Sequence, residues 1–125
     1  ATLIEQETIA HLARLVGFDE GEGLFVTGGS NANLVALMAA RHRLDPKIQR
    51  QGACGRRLQA FVSDQAHYSF AKAANMMGLG LENVVAVASD AQGRMMPEAL
   101  EAALRDSRAS GAHPFFVAAT AGTTA

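Results

Sequence analysis

Three short polar stretches hold the residue types that could do chemistry in this chain. Thr27-Gly28-Gly29-Ser30-Asn31 sets two glycines and a serine between a short apolar run and a long apolar segment free of helix breakers. A turn of this kind into a helix leaves the first backbone N–H groups without intrahelical partners. With the positive end of the helix dipole they make an anion site, and Ser30 can either cap the helix or offer its hydroxyl to the anion. Ser63-Asp64-Gln65-Ala66-His67 adds an imidazole, and Thr120-Ala121-Gly122-Thr123-Thr124 adds hydroxyls. Brought to one crevice, an anion cup, an imidazole and hydroxyls suit a phosphorylated cofactor or substrate. Each stretch also has a plainer reading. Alone, Gly28-Gly29-Ser30 is a well-capped turn; His67 is a cap or loop hydrogen-bonding residue; Asp64 caps the helix that follows it.

Several other chemistries are excluded by pattern. No lysine follows Gly28-Gly29 as a P-loop requires, and the dinucleotide fingerprint GxGxxG is absent. Ser30 lacks the G-x-S-x-G elbow of a hydrolase nucleophile. The histidines at 11, 42, 67 and 113 show no metal-ligand spacing, so no metal is expected. Lys72 and Lys47 are the only lysines, but a catalytic amine needs a desolvated or electropositive site. Nothing around Lys72 supplies one, and it reads as a solvated or ion-paired residue.

The elements that must position these stretches follow from hydrophobic period. Residues 3–16 suit a helix with Ile9, Leu12, Leu15 and Val16 on one face and Gly17 as its stop. Leu24 to Thr27 reads as a short extended segment. A helix from about Asn31 to Leu44 places Leu34, Leu37, Met38 and Arg41 at i, i+3, i+4 and i+7, and Asp45-Pro46 ends it. Residues 46–58 are a polar excursion in which Arg56 and Arg57 are solvated. Leu58 to Ser63 is a strand, Tyr68 to Met77 a helix kept thin by its alanines, and Asn83 to Ala88 a second β-branched strand. Pro97 opens a helix to about Ser110, with Glu101 and Arg105 as an exposed pair, and Pro114 to Ala119 forms the last strand. Continuous apolar strands alternating with helices predict an α/β fold with a mostly parallel sheet covered on both faces. In such sheets ligands bind at the C-terminal strand ends, where all three polar stretches are expected.

The totals are consistent with a one-domain globular segment: 125 residues, 49% hydrophobic, 18% charged. A net charge of −1 gives no support for nucleic-acid or anionic-membrane binding. No apolar run approaches the ~20 residues of a membrane span. A single cysteine, Cys54, excludes an internal disulfide, and with the early acidic residues points to a cytoplasmic location. The opening Ala1-Thr2-Leu3-Ile4 and the stop in a Gly/Thr loop at Ala125 lead to the expectation of a piece of a longer polypeptide.

At these stretches the sequence resembles the group II pyridoxal-5′-phosphate-dependent amino-acid decarboxylases, which include glutamate, cysteine-sulfinate, diaminobutyrate and aromatic-amino-acid decarboxylases. Phe25 to Leu34 with Ala39-Ala40-Arg41 is similar to the family's GGS-x-AN segment, and Ser63 to Ser69 with Lys72-Ala73-Ala74 to its histidine motif. Gly93-Arg94-Met95 and Pro114 to Thr124 continue the match in order, as do Leu3-Ile4-Glu5 and Leu15-Val16-Gly17-Phe18 in the lead-in helix. The resemblance implies that residues 1–125 are the N-terminal part of the large cofactor domain of a fold-type I, aspartate-aminotransferase-like enzyme. It implies that Gly29 and Ser30 hold the phosphate of pyridoxal phosphate. His67 would stack on the pyridine ring and help position the substrate carboxylate or the protonation at Cα, and Thr124 would approach the ring's phenolic oxygen. The family's Schiff-base lysine and its ring-pairing aspartate belong to motifs that do not occur here, so Lys72 and Lys47 do not inherit the role and the segment alone would be inactive. Ala66-His67-Tyr68-Ser69 and Pro114-Phe115-Phe116-Val117 lean toward an acidic substrate such as glutamate or cysteine sulfinate. Homodimerisation is a further implication of family. The alternatives left open are an aromatic or diaminobutyrate substrate, or a non-catalytic phosphate- or nucleotide-binding module.

Overall fold

A computed structural model describes residues 2–122. Its centre is strand β1, Leu58–Ser63, which is buried along its whole length. It is flanked by β2, Val84–Val87, and β3, His113–Ala118, in the order β2-β1-β3, and both pairings are parallel. The helices are α1 (Thr2–Leu15), α2 (Gly29–Leu44), α3 (Ile48–Gln51), α4 (Ser69–Met76) and α5 (Pro97–Ala109), with a 3₁₀ turn at Leu81–Asn83. The α/β class and the parallel sheet are therefore as the apolar runs predict.

The chain crosses from β1 to β2 through α4, then back past β1 to β3 through α5. Right-handed crossovers in opposite directions put α4 and α5 on opposite faces of the sheet. On the first face α2 lies beside α4, and Leu37, Ala60 and Ala73 form a buried cluster bordered by Leu34, Phe70, Met77, Phe115 and Phe116. Ala73 and Ala74 are fully covered, which is how the thin α4 packs so closely. The β1–β3 register runs from Gln59 opposite Pro114 to Ala60 opposite Phe116. Phe115 is the extra residue of a bulge, which lets two consecutive phenylalanines border the same cluster.

Four sequence expectations are corrected. Leu24–Thr27 is not a strand: apolar content alone makes no strand without a ladder partner. This segment instead runs back along α1, where the Phe25 N–H donates to Glu5 Oε1 at 3.2 Å. The approach is close enough that a Cβ at Gly21 would meet that of Ala13 at 2.5 Å. Second, α2 begins at Gly29 with Gly28 at the cap position, so Ser30 lies inside the first turn and does not cap it. Third, the 46–58 excursion is anchored, because Ile48 in α3 is buried, Arg56 pairs with Asp45, and Arg57 donates to Ser110 Oγ at 2.7 Å. Fourth, the ion pairs among the described residues are Arg56–Asp45 and Arg94–Asp90, so Glu101 and Arg105 do not pair.

Candidate functional site

The C-terminal edge of the sheet carries the site. Leaving β1, the chain passes through Asp64–Tyr68 into α4; leaving β3, it enters the 119–122 segment. Together these line a cavity of about 660 Å³ with Asn33 of α2 and Phe70 of α4. His67 and Thr120–Gly122 are thus brought together as the sheet rule requires. Thr124 lies outside the described residues. A smaller hollow of about 320 Å³ adjoins this cavity, shares Gln65, Thr120 and Gly122 with it, and extends to the Gly93-Arg94-Met95 turn.

His67 sits at the turn into α4, where the Ser69 N–H donates to its Nδ1 at 3.1 Å. With Nδ1 accepting, the proton of the neutral imidazole is on Nε2. The hydrogen-bonding role expected from the residues alone is therefore real, and it leaves Nε2 as the nitrogen with a proton to offer. The imidazole is exposed and lies against Tyr68, ring centroids 4.3 Å apart. Lys72 Nζ rests over the same tyrosine ring at 4.4 Å, a cation–π contact on an exposed helix surface. The ammonium is occupied by an aromatic face and has no desolvated site.

The glycine stretch does not follow a strand, contrary to expectation. It reaches the same region as the N-terminus of α2, which lies alongside α4. Gly28 has φ 155° and ψ 171°, a region open to glycine almost alone, and this conformation turns the chain into the helix. The first-turn N–H groups of Gly29, Ser30 and Asn31 meet no acceptor among the described residues, and a Cβ at Gly29 would meet nothing within 4 Å. Three free donors over open space fit a phosphate. The Asn31 side chain donates to Thr27 Oγ1 at 3.2 Å, bracing the turn.

Ser30 and His67 line different hollows. Ser30 borders a groove of about 240 Å³ between α2 and α4, with Ser69 and Lys72 on the far wall. Ser69 links the two: it borders the groove, and its N–H bonds the imidazole. Asn33 Nδ2 donates to Ser69 Oγ at 2.8 Å across 36 positions of sequence. Only the 3.6-residue period of α2 hints at Asn33 in the sequence, and nothing local links it to Ser69.

Asp64 does not cap α4. Its carboxylate accepts the Ser89 hydroxyl at 2.6 Å and the Ser89 N–H at 3.2 Å, joining the loop after β1 to the loop after β2. The Ser89 hydroxyl, with smaller help from the Ser89 N–H and the Gln65 and Ser63 side chains, holds its pKa below the ordinary 3.8. A carboxyl whose folded pKa is depressed stabilises fully above its unfolded value, and that contribution disappears as pH falls through the folded one. Asp45, held down by Arg56, and Asp90, held down by the Arg94 N–H and guanidinium, behave in the same way. Melting of the full-length protein should therefore lose temperature on acidification from about pH 5 to about pH 3, and less steeply in Asp64→Asn. Equal slopes in the two proteins would contradict this role for Asp64.

Among the described residues no group of three or more His, Cys, Asp or Glu is placed to hold a metal ion. No helix among them is long and apolar enough to cross a membrane.

Comparison with known proteins identifies the family and the fold. A family model described as "Pyridoxal-dependent decarboxylase conserved domain" matches residues 1–125. The chain is 42% identical to the human "Acidic amino acid decarboxylase GADL1" over 98% of its own length and 24% of that protein's. It is 41% identical to the human "Cysteine sulfinic acid decarboxylase", covering 98% of this chain and 25% of that one. The crystal structure of mouse CSAD superposes with a TM-score of 0.95 at 41% identity, over 98% of this chain and 26% of that chain. The chain thus spans about a quarter of the length of these relatives.

Proposed function

This chain belongs to the pyridoxal-dependent decarboxylase family, and we propose that it forms the cofactor-holding part of an enzyme that decarboxylates an acidic L-amino acid. The observation that carries the reading is the pairing of two features at one end of the fold. One is the open first turn of α2 with three unpartnered N–H groups; the other is an exposed imidazole whose proton is fixed on Nε2. An acidic substrate is favoured by the names of the relatives at 41–42% identity, an acidic amino acid decarboxylase and a cysteine sulfinic acid decarboxylase.

The N–H groups of Gly29 and Ser30 and the Ser30 hydroxyl would hold the cofactor phosphate, whose charge the helix dipole favours. His67 would lie along the cofactor ring, braced from behind by Tyr68 and Lys72. Pyridoxal phosphate, when bound, supplies an electron sink for the pair left behind as CO₂ departs. The Nε2–H of His67 can donate a hydrogen bond to a substrate carboxylate while Nδ1 is engaged by Ser69; to carry a proton to Cα the ring would first take up a second proton at Nδ1, releasing the Ser69 N–H, and return to neutral as the proton leaves Nε2. Thr124 is proposed near the cofactor's phenolic oxygen on the resemblance alone. On the same resemblance, the lysine that attaches the cofactor and the aspartate that pairs with its ring nitrogen would lie beyond residue 125. A homodimer and a cytoplasmic location complete the proposal, the first from family resemblance and the second from the composition.

The test is CO₂ release by the full-length protein reconstituted with pyridoxal phosphate, on L-glutamate, L-cysteine sulfinate, L-tryptophan and L-2,4-diaminobutyrate. One or both acidic substrates should lead in kcat/KM by about tenfold or more, the low end of what an enzyme pocket discriminates. Faster release from tryptophan or diaminobutyrate would overturn the substrate class. No release from any of the four would overturn the decarboxylase reading.

A further inference from the structure

The apolar contact between α2 and α4 is built from Leu34, Leu37, Ala73 and neighbouring side chains. Burial of this kind is non-directional, so it favours contact without fixing how one helix is placed along the other. Two directional bonds cross the interface. At the far end the Arg41 guanidinium donates to the Met77 carbonyl at 3.5 Å, at the limit of a hydrogen bond. At the site end Asn33 Nδ2 donates to Ser69 Oγ at 2.8 Å. Ser69 is 2% exposed, so its hydroxyl has a fixed setting.

The two partners are one step from each half of the site. Asn33 lies one helical turn from Gly29, on the helix whose N-terminus is the phosphate cup, and it also lines the His67 cavity. Ser69 is the first residue of α4, and its N–H holds His67 Nδ1. The chain Asn33 Nδ2–H to Ser69 Oγ, then Ser69 N–H to His67 Nδ1, is the hydrogen-bonded link between cup and imidazole among the described residues.

We propose that Asn33, acting through Ser69, is a positioning residue that sets the imidazole of His67 relative to the phosphate cup. The proposal rests on the functional reading above. The anchored phosphate fixes one end of a rigid ring, so a shift of α4 against α2 moves the imidazole relative to the ring while leaving both halves intact. Misplacement by about 1 Å at a reacting centre can cost about a hundredfold in rate. The loss should therefore fall on turnover and on the setting of the cofactor, not on its retention.

The experiment uses the full-length holoenzyme with Asn33→Ala, Ser69→Ala and the double variant. Ser69→Ala keeps the N–H that bonds His67 and removes only the hydroxyl that Asn33 holds. Each single variant should bind pyridoxal phosphate within about threefold of wild type, lower kcat by about tenfold and leave KM within about twofold. The visible circular dichroism of bound cofactor, which reports its orientation, should lose about half its intensity in each. The double variant should fall no further than the singles, because both remove one bond. Wild-type dichroism and kcat in the single variants would overturn the proposal, as would additive losses in the double. A purely structural role would lower the melting temperature while leaving dichroism and kcat unmoved, and it counts against the proposal. If Asn33→Ala does not fold, Ser69→Ala decides by the same criteria. A wild-type protein with no cofactor band overturns the functional reading and this inference together, whereas an active wild type with unmoved variants overturns this inference alone.

Discussion

His67→Phe in the full-length holoenzyme is expected to keep its cofactor and lose about 10²–10⁴-fold in kcat, the range for removal of a positioned proton donor. Phenylalanine keeps one part of what the imidazole offers and loses the other. It supplies a flat ring that can rest on Tyr68, whose centroid lies 4.3 Å from that of the imidazole. It lacks the Nε2–H, the proton that the Ser69 bond to Nδ1 assigns to that nitrogen. His67 is exposed and lies outside the buried cluster, so the fold should lose no more than the Ser69 N–H bond to Nδ1. Cofactor content by absorbance and single-turnover CO₂ release measure the two effects separately. Near-normal turnover would remove His67 from the chemistry and leave it a helix-turn residue.

Ser30→Ala should act in the opposite way, weakening cofactor retention by about tenfold to a hundredfold with kcat near wild type at saturating cofactor. That range corresponds to the roughly 1.5–3 kcal/mol of a hydrogen bond to a charged group. Ser30 is exposed in the first turn of α2 and caps nothing, so its hydroxyl has no structural duty whose loss could imitate the effect. The N–H groups of Gly29 and Ser30 survive the substitution, which is why binding should weaken without vanishing. Absorbance titration of the apo full-length protein with pyridoxal phosphate gives the constant. Unchanged affinity would place the phosphate elsewhere.

The contrast between these variants follows from which features were legible in the sequence. Leu58–Ser63 was readable to the residue because a run buried on both faces needs no partner to betray it. Pro97 at the first helical position was equally legible. Leu24–Thr27 misled for the complementary reason: its composition suits a strand, and its lack of a ladder partner is a property of the whole fold. Serine suits both a cap and an anion contact, and the sequence leaves both open for Ser30; Gly28, with its backbone at φ 155°, takes the cap position and moves Ser30 into the turn. Asp64 was read locally as well, and its partner Ser89 is 25 residues away, beside it only because β1 and β2 run parallel. Asn33 and Ser69 stand further apart still, and their meeting depends on how α2 lies against α4. Residue types and order identified the family; the directional bonds between elements had to be seen.

The central claim is that one end of this fold holds the phosphate on α2 and offers the His67 imidazole to the ring. A crystal structure of the full-length protein with pyridoxal phosphate tests it most directly. The predicted result is a phosphate oxygen within about 3.2 Å of the Gly29 or Ser30 N–H, the Asn33–Ser69 bond intact, and the cofactor ring against His67. A phosphate bound away from the first turn of α2, or a cofactor ring out of reach of His67, would contradict it.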